Sequence, residues 1–182
     1  MEGSLRCYRV TDDALRTAMA LEGDTLPSDS PAIRALAANS NNMAAALEEK
    51  SQRSAEETGF MVEAAAAALR YWQRGGTWFE TQRAEFRLAS SHFHAGNSGA
   101  AVSSAMRCIE LCRQHDAPPF EQFFGYAMLG LAQRAAGDQA AFASSREAAR
   151  VAYERIEAAE QHWCGTLLAQ LDAPLPADEP SR

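Results

Sequence analysis

The stretch SAEETGFMVEAAAAALRYWQRGGTWFE, residues 54–80, constrains the fold more than any other part of the chain. It holds two helix-start signals. Ser54 and Glu57 form one S-x-x-E capping box, and Thr77 with Glu80 forms a second box of the same kind, T-x-x-E. In each, side chains at the first and fourth positions satisfy amide protons that a helix start leaves free. Gly75-Gly76 separates the two, and two helices joined by so short a turn must run antiparallel. The run FMVEAAAAAL is apolar nearly all round, which predicts a helix sandwiched between neighbours, with alanines allowing close backbone approach.

Other punctuation extends this pattern along the chain. Thr11, Asp12 and Asp13 open a short predicted helix that ends near Gly23, with its acids at the positive end of the helix dipole. Ser30-Pro31 opens a second, running to about Lys50, with a possible break at Asn39-Ser40-Asn41-Asn42. The helix from Thr77 ends at Gly96, and Asn97 is the expected cap of the next, which reaches His115. Asp116-Ala-Pro-Pro stops it, and Pro119 begins another that Gly137 ends. Asp138 caps a last segment to Leu171, broken near Glu157 or Gly165. The tail from 173 to 182 is proline-rich and polar, so it is expected to be disordered. Alanine is abundant, Val and Ile are scarce, and no segment alternates as a strand does, so the fold class is all-α with seven to eight helices.

GNSGAAV and GDQAAFA repeat the same signal 41 positions apart, at Gly96 and Gly137. On that offset Leu88 falls on Leu129, Ala89 on Gly130 and Cys108 on Ala149. Tyr126-x2-Leu129-Gly130 followed by Gly137-Asp138 resembles the tetratricopeptide (TPR) pattern W-x2-L-G-x2-Y with its turn glycine. The resemblance covers Thr77 to Val151 and departs from the family in several places. The step is 41 rather than 34, Glu85 stands where Trp is usual, and Ala89 stands for Gly. The pattern A-x3-F becomes Ala101-x3-Ala105 and Phe142-x3-Arg146. Longer units of this kind are similar to those of bacterial regulators and their sensor arrays. The resemblance implies one domain over residues 1–172, a short right-handed superhelical stack of antiparallel helix pairs. Residues 11–74 would supply degenerate first helices and 77–157 two recognisable pairs.

The same resemblance implies a concave surface lined by the first helix of each pair. On this chain it would be Arg83, Phe86, Ser90, Phe93 and His94, then Phe124, Ala127, Leu131 and Arg134. That set is apolar with a basic rim, suited to a hydrophobic or amphipathic helical ligand. The function expected is therefore a non-enzymatic protein–protein interaction module with a regulatory or scaffolding role, binding a protein or peptide partner or forming a homodimer. The other reading is a small-molecule-binding or enzymatic bundle with a polar pocket.

Chemistry-bearing residues offer less. Cys108, Cys112 and His115 share a helix face, but no second pair of ligands accompanies them, so Cys108 and Cys112 read as part of a buried stripe with Val102, Ala105 and Ile109, and no metal or cofactor is expected. His92 and His94 point to different faces, so one should pack and one be exposed. Glu121, Glu147 and Glu154 read as solvated. Trp72, Trp78 and Phe79 are expected to pack together across the Gly75-Gly76 turn, and Phe120, Phe123, Phe124 and Tyr126 crowd too tightly for one buried stripe. No phosphate loop, nucleophile elbow or H-E-x-x-H motif is present, so no catalytic residue is expected. A net charge of −7 without a basic run argues against nucleic acid and against an anionic membrane surface. No 18-residue apolar run and no secretory pattern occur, and the four cysteines are scattered, so a cytoplasmic location is expected.

Overall fold

The computed structural model describes residues 27–174, which form seven α-helices and one short 3₁₀ turn, with no strand among them. The helices are α1 (Pro31–Glu48), α2 (Ala55–Gly75), α3 (Trp78–His94), α4 (Ser98–Gln114), α5 (Pro119–Ala135), α6 (Gln139–Glu154) and α7 (Gly165–Asp172). The 3₁₀ turn, Gln161–Cys164, precedes α7, and the helix is interrupted from Glu154 to Gly165, where a break near Glu157 or Gly165 was expected. The helix expected at 11–22, and residues 175–182 of the tail, lie outside the described residues.

Local chemistry explains the helix ends. Both capping boxes form: the Ser54 hydroxyl accepts from the Glu57 amide at 3.1 Å, and Glu57 accepts from the Ser54 amide at 2.8 Å. At α3 the Glu80 carboxylate accepts from the Thr77 hydroxyl at 2.6 Å and from its amide at 2.8 Å. Those bonds favour the ionised form and pull Glu80 down to about 2. Asp138 caps α6 by accepting from the Ala141 amide at 2.9 Å. Gly96 and Gly137 close α3 and α5 with φ of 76° and 83°, the left-handed conformation that favours glycine.

Two expectations about helix ends fail. Asn39–Asn42 does not break α1, because Ser40 packs fully buried and the asparagines stay within the helix. Asn97 precedes α4 but makes no side-chain capping bond.

From α1 to α6 consecutive helices pack as antiparallel neighbours, and α1 also touches α3, α3 touches α5, and α5 touches α7, whereas α6 and α7 share no comparable packing. The even-numbered helices share no comparable packing. The odd helices thus form the tighter layer, and the even helices splay along the other side. The 41-residue step is structural: Trp78, His94 and Ser98 recur as Pro119, Ala135 and Gln139 at the corresponding helix ends. The two glycine-ended units lie side by side through α3–α5 and α4–α5 contacts.

The main core runs through this second half. Phe123, Met128, Leu131 and Leu171 are all but inaccessible and pack with Ala89, Ala105 and Ala127. Burying a side chain such as Phe123 contributes roughly 2–3 kcal/mol. In α2, Ala64, Ala65, Ala67 and Ala68 are all fully buried, which is the sandwiched arrangement the alanine run implied. No described helix is long and apolar enough to cross a membrane.

Candidate functional site

The odd-helix layer presents a patch of aromatic rings spanning α3 and α5. Phe79, Arg83 and Phe86 follow one face of α3 at steps of four and three, the spacing that keeps side chains on one stripe. Phe120 and Phe124 do the same on α5. Phe86 meets Phe124 edge to face, with centroids 5.6 Å apart at 88°. Phe124 also packs on Phe120 at 4.9 Å and on the fully buried Phe123 at 5.4 Å. Phe79, Phe86, Phe120 and Phe124 are each half-buried, anchored below and open above.

Arg83 locks the patch. Its guanidinium lies 4.3 Å from the Phe79 ring centroid, a cation–π geometry. Its Nε donates to Glu121 Oε1 at 3.1 Å and Oε2 at 3.2 Å, while Nη2 donates to Oε1 as well. This forked contact fixes the carboxylate more firmly than a single bond would. The Glu121 side chain is only 7% exposed, whereas Arg83 is 54% exposed, so the pair turns a cation outward over a covered anion. Glu121 is therefore no solvated face: α5 is packed so that its first turn points into α3.

The nine residues expected to line the surface separate into groups. Arg83, Phe86 and Phe124 come together in the patch. Ala127 and Leu131 are buried in the main core, because their stripe of α5 faces inward. Ser90 is also buried, donating to Glu48 Oε2 at 2.9 Å. Arg134 folds over the Phe142 ring at 5.2 Å and donates to the Ala173 carbonyl, tying α5 to the end of α7. Phe93 is half-buried at the end of α3 and meets the exposed His94 edge to face at 5.6 Å. His92 packs more deeply, with its Nδ1 buried, as the two-residue spacing implied.

Several residues of this layer lie outside the nine expected to line the surface. Phe79 and Phe120 stand 41 residues apart, so the repeat itself carried their signal. Glu48, at the end of α1, collects Arg87, Ser90 and Ser91, the last at 2.6 Å, and pins α1 to α3. Nothing local to Glu48 announces this. The Trp72–Trp78–Phe79 cluster also differs from expectation. Trp78 and Phe79 do meet edge to face, but Trp78 stacks on His115 at 4.6 Å. Trp72 instead lies over Gly76 and beneath the Arg34 guanidinium.

Cys108, Cys112 and Cys164 are free and buried. Gln82 Nε2 donates to Cys108 Sγ at 3.3 Å, and the contact with Cys112 together with burial pushes the Cys108 thiol up. No group of three or more His, Cys, Asp or Glu side chains among the described residues could hold a metal ion.

A second concavity lies on the opposite side, between α4 and α5. It encloses about 1010 Å³ as a broad trough, floored by Ile109, Tyr126 and Leu129, with Met106 and Arg107 along α4. Tyr126 has its repeat counterpart in Glu85 of α3. Glu85 is buried and is pushed up to about 7 by loss of water, an effect that Arg107 opposes. Comparison of the chain with protein-family models, curated proteins and solved structures gave no match.

Proposed function

We propose that the chain is a protein-interaction module of TPR-like build, not an enzyme. It holds a peptide or helix of a partner protein against the odd-helix layer in the cytoplasm, in a regulatory or scaffolding role. One observation carries the reading: half-open rings from two helices are arrayed side by side around an arginine already oriented by Glu121. Aromatic rings and arginine are the groups that dominate binding energy at protein interfaces. Rings fixed from below lose little conformational freedom when a partner covers them. The binding set is narrower than the nine residues first considered, centring on Arg83, Phe86 and Phe124 with Phe79 and Phe120 beside them. The Glu48 carboxylate is engaged with Arg87, Ser90 and Ser91 of α3 and serves to hold the layer together.

The test places a photo-crosslinking phenylalanine analogue at position 86 and captures partners from native cytosol, with light scattering to read whether the captured partner is a second copy. The expected result is a discrete crosslinked product, lost when Phe124→Ala is added. Phe124→Ala should itself cost only about 1–2 kcal/mol, since its ring is half-buried. A cost near 3–5 kcal/mol with unchanged capture would make Phe124 a core residue and refute the reading.

A further inference from the structure

The α4–α5 trough has a chemistry distinct from the aromatic patch and stands independently of it. Its apolar strip joins Ile109, Tyr126 and Leu129 to Met106, which is 57% exposed. An unbranched thioether side chain left this open is adaptable apolar surface. Arg107 and Arg113 border the strip. Arg34, Arg83, Arg87 and Arg150 each grip a carboxylate. Arg107 and Arg113 make no hydrogen bond or ion pair among the described residues; Arg107 feels Glu85 only across space. Glu110, the carboxylate among the lining residues, accepts from the Gln114 side-chain amide at 3.1 Å and keeps its charge, so the lining carries two cations against one anion. Two arginines with no ion-pair partner among the described residues thus flank an apolar strip on a chain whose net charge is −7.

Shape narrows the occupant. The lining runs along α4 from Ser103 to Gln114, a length of about 17 Å at the rise of an α-helix. That matches roughly three turns of a second helix laid alongside. A small ligand in so broad a trough would keep much of its surface wet, unlike one held in an enclosing cleft. An extended strand would find no sheet edge to pair with among the described elements.

We propose that the trough between α4 and α5 docks an amphipathic helix of a partner protein, with its apolar stripe on Met106, Tyr126 and Leu129 and acidic residues beside that stripe meeting Arg107 and Arg113. Charge at such a rim governs partner choice and association rate more than raw affinity. The net charge of −7 disfavours acidic partners over the chain at large, and Arg107 and Arg113 offset that at this trough.

The experiment selects from a displayed library of helix-forming peptides of about 16 residues, with a fixed leucine stripe and flanking positions drawn from Glu, Lys, Ser and Ala. The target is the full chain. The expected outcome is enrichment of Glu at the flanks. Binding of the synthesised consensus peptide, read by fluorescence anisotropy, should weaken about tenfold or more in Met106→Asp and in Arg107→Glu/Arg113→Glu. It should also weaken as salt rises. Both changes lie at exposed positions, and Arg113→Glu alone provides a milder variant whose thermal melt verifies folding. No enrichment, enrichment of Lys, absence of charge preference, or binding indifferent to these folded variants would each overturn the proposal.

Discussion

Glu85→Gln probes a carboxyl that the fold keeps out of water. Glu85 is 4% exposed and its pKa rises from 4.5 to about 7, with burial as the main cause and Arg107 as the opposing charge. The folded chain therefore holds a proton here that the unfolded chain has released. The associated stability is fully present below about pH 4.5, is lost as the pH rises towards 7, and changes little above that. The gap between the two values corresponds to at most about 3.4 kcal/mol, at 1.36 kcal/mol for each pH unit. The carboxyl is only partly desolvated, which reduces the expected figure to about 2 kcal/mol. His92 and His94 act in the other direction. Desolvation holds both below their ordinary value, so their contribution is lost as the pH falls. That background is common to both proteins and cancels in the difference. The assay is urea unfolding followed by circular dichroism, on wild type and Glu85→Gln, at about pH 5 and about pH 8. Between those conditions, which span about three quarters of the titration, the variant should gain about 1.5 kcal/mol relative to wild type. A difference that stays constant with pH would show that Glu85 ionises as an ordinary surface carboxylate, and would refute the reasoning.

Two further outcomes follow from packing. Gly125→Ala would place a Cβ 2.6 Å from Ile109 Cδ1 and 3.2 Å from Cys108 Sγ, so the Ile109 side chain must turn away or α4 must shift, at a cost of about 1–3 kcal/mol in urea unfolding. Gly99→Ala meets nothing within 4 Å and should instead stabilise by about 0.5 kcal/mol, so equal effects at the two glycines would contradict the α4–α5 packing. Leu131→Ala should cost about 2–5 kcal/mol, because the side chain is 1% exposed. A loss under about 1 kcal/mol would return Leu131 to an open surface.

Helix identity and helix ends could be read from the sequence because the interactions that set them reach no further than about four residues. Ser54 with Glu57, Thr77 with Glu80, and Asp138 with Ala141 each close within that span. The left-handed glycines at 96 and 137 need only their own backbone, and their 41-residue spacing was enough to place two like hairpins side by side. Arg83, Phe86 and Phe124 of the aromatic patch came from the resemblance to TPR units, which named them together with residues that the fold buries, Ser90, Ala127 and Leu131. Which polar groups those hairpins bury was decided only in three dimensions. Glu121 reads as a surface acid until Arg83, 38 residues earlier, folds onto it. Glu48 is pinned by residues 39 to 43 positions away, and Glu85 loses its water to α4. Ala127 and Leu131 share a helix with Phe124, yet packing against α6 and α7 turns their stripe inward. A carboxylate or a leucine has the same local propensity wherever it stands on a helix face. Its burial depends on what the neighbouring helices bring to that face, and that is a property of the assembled stack.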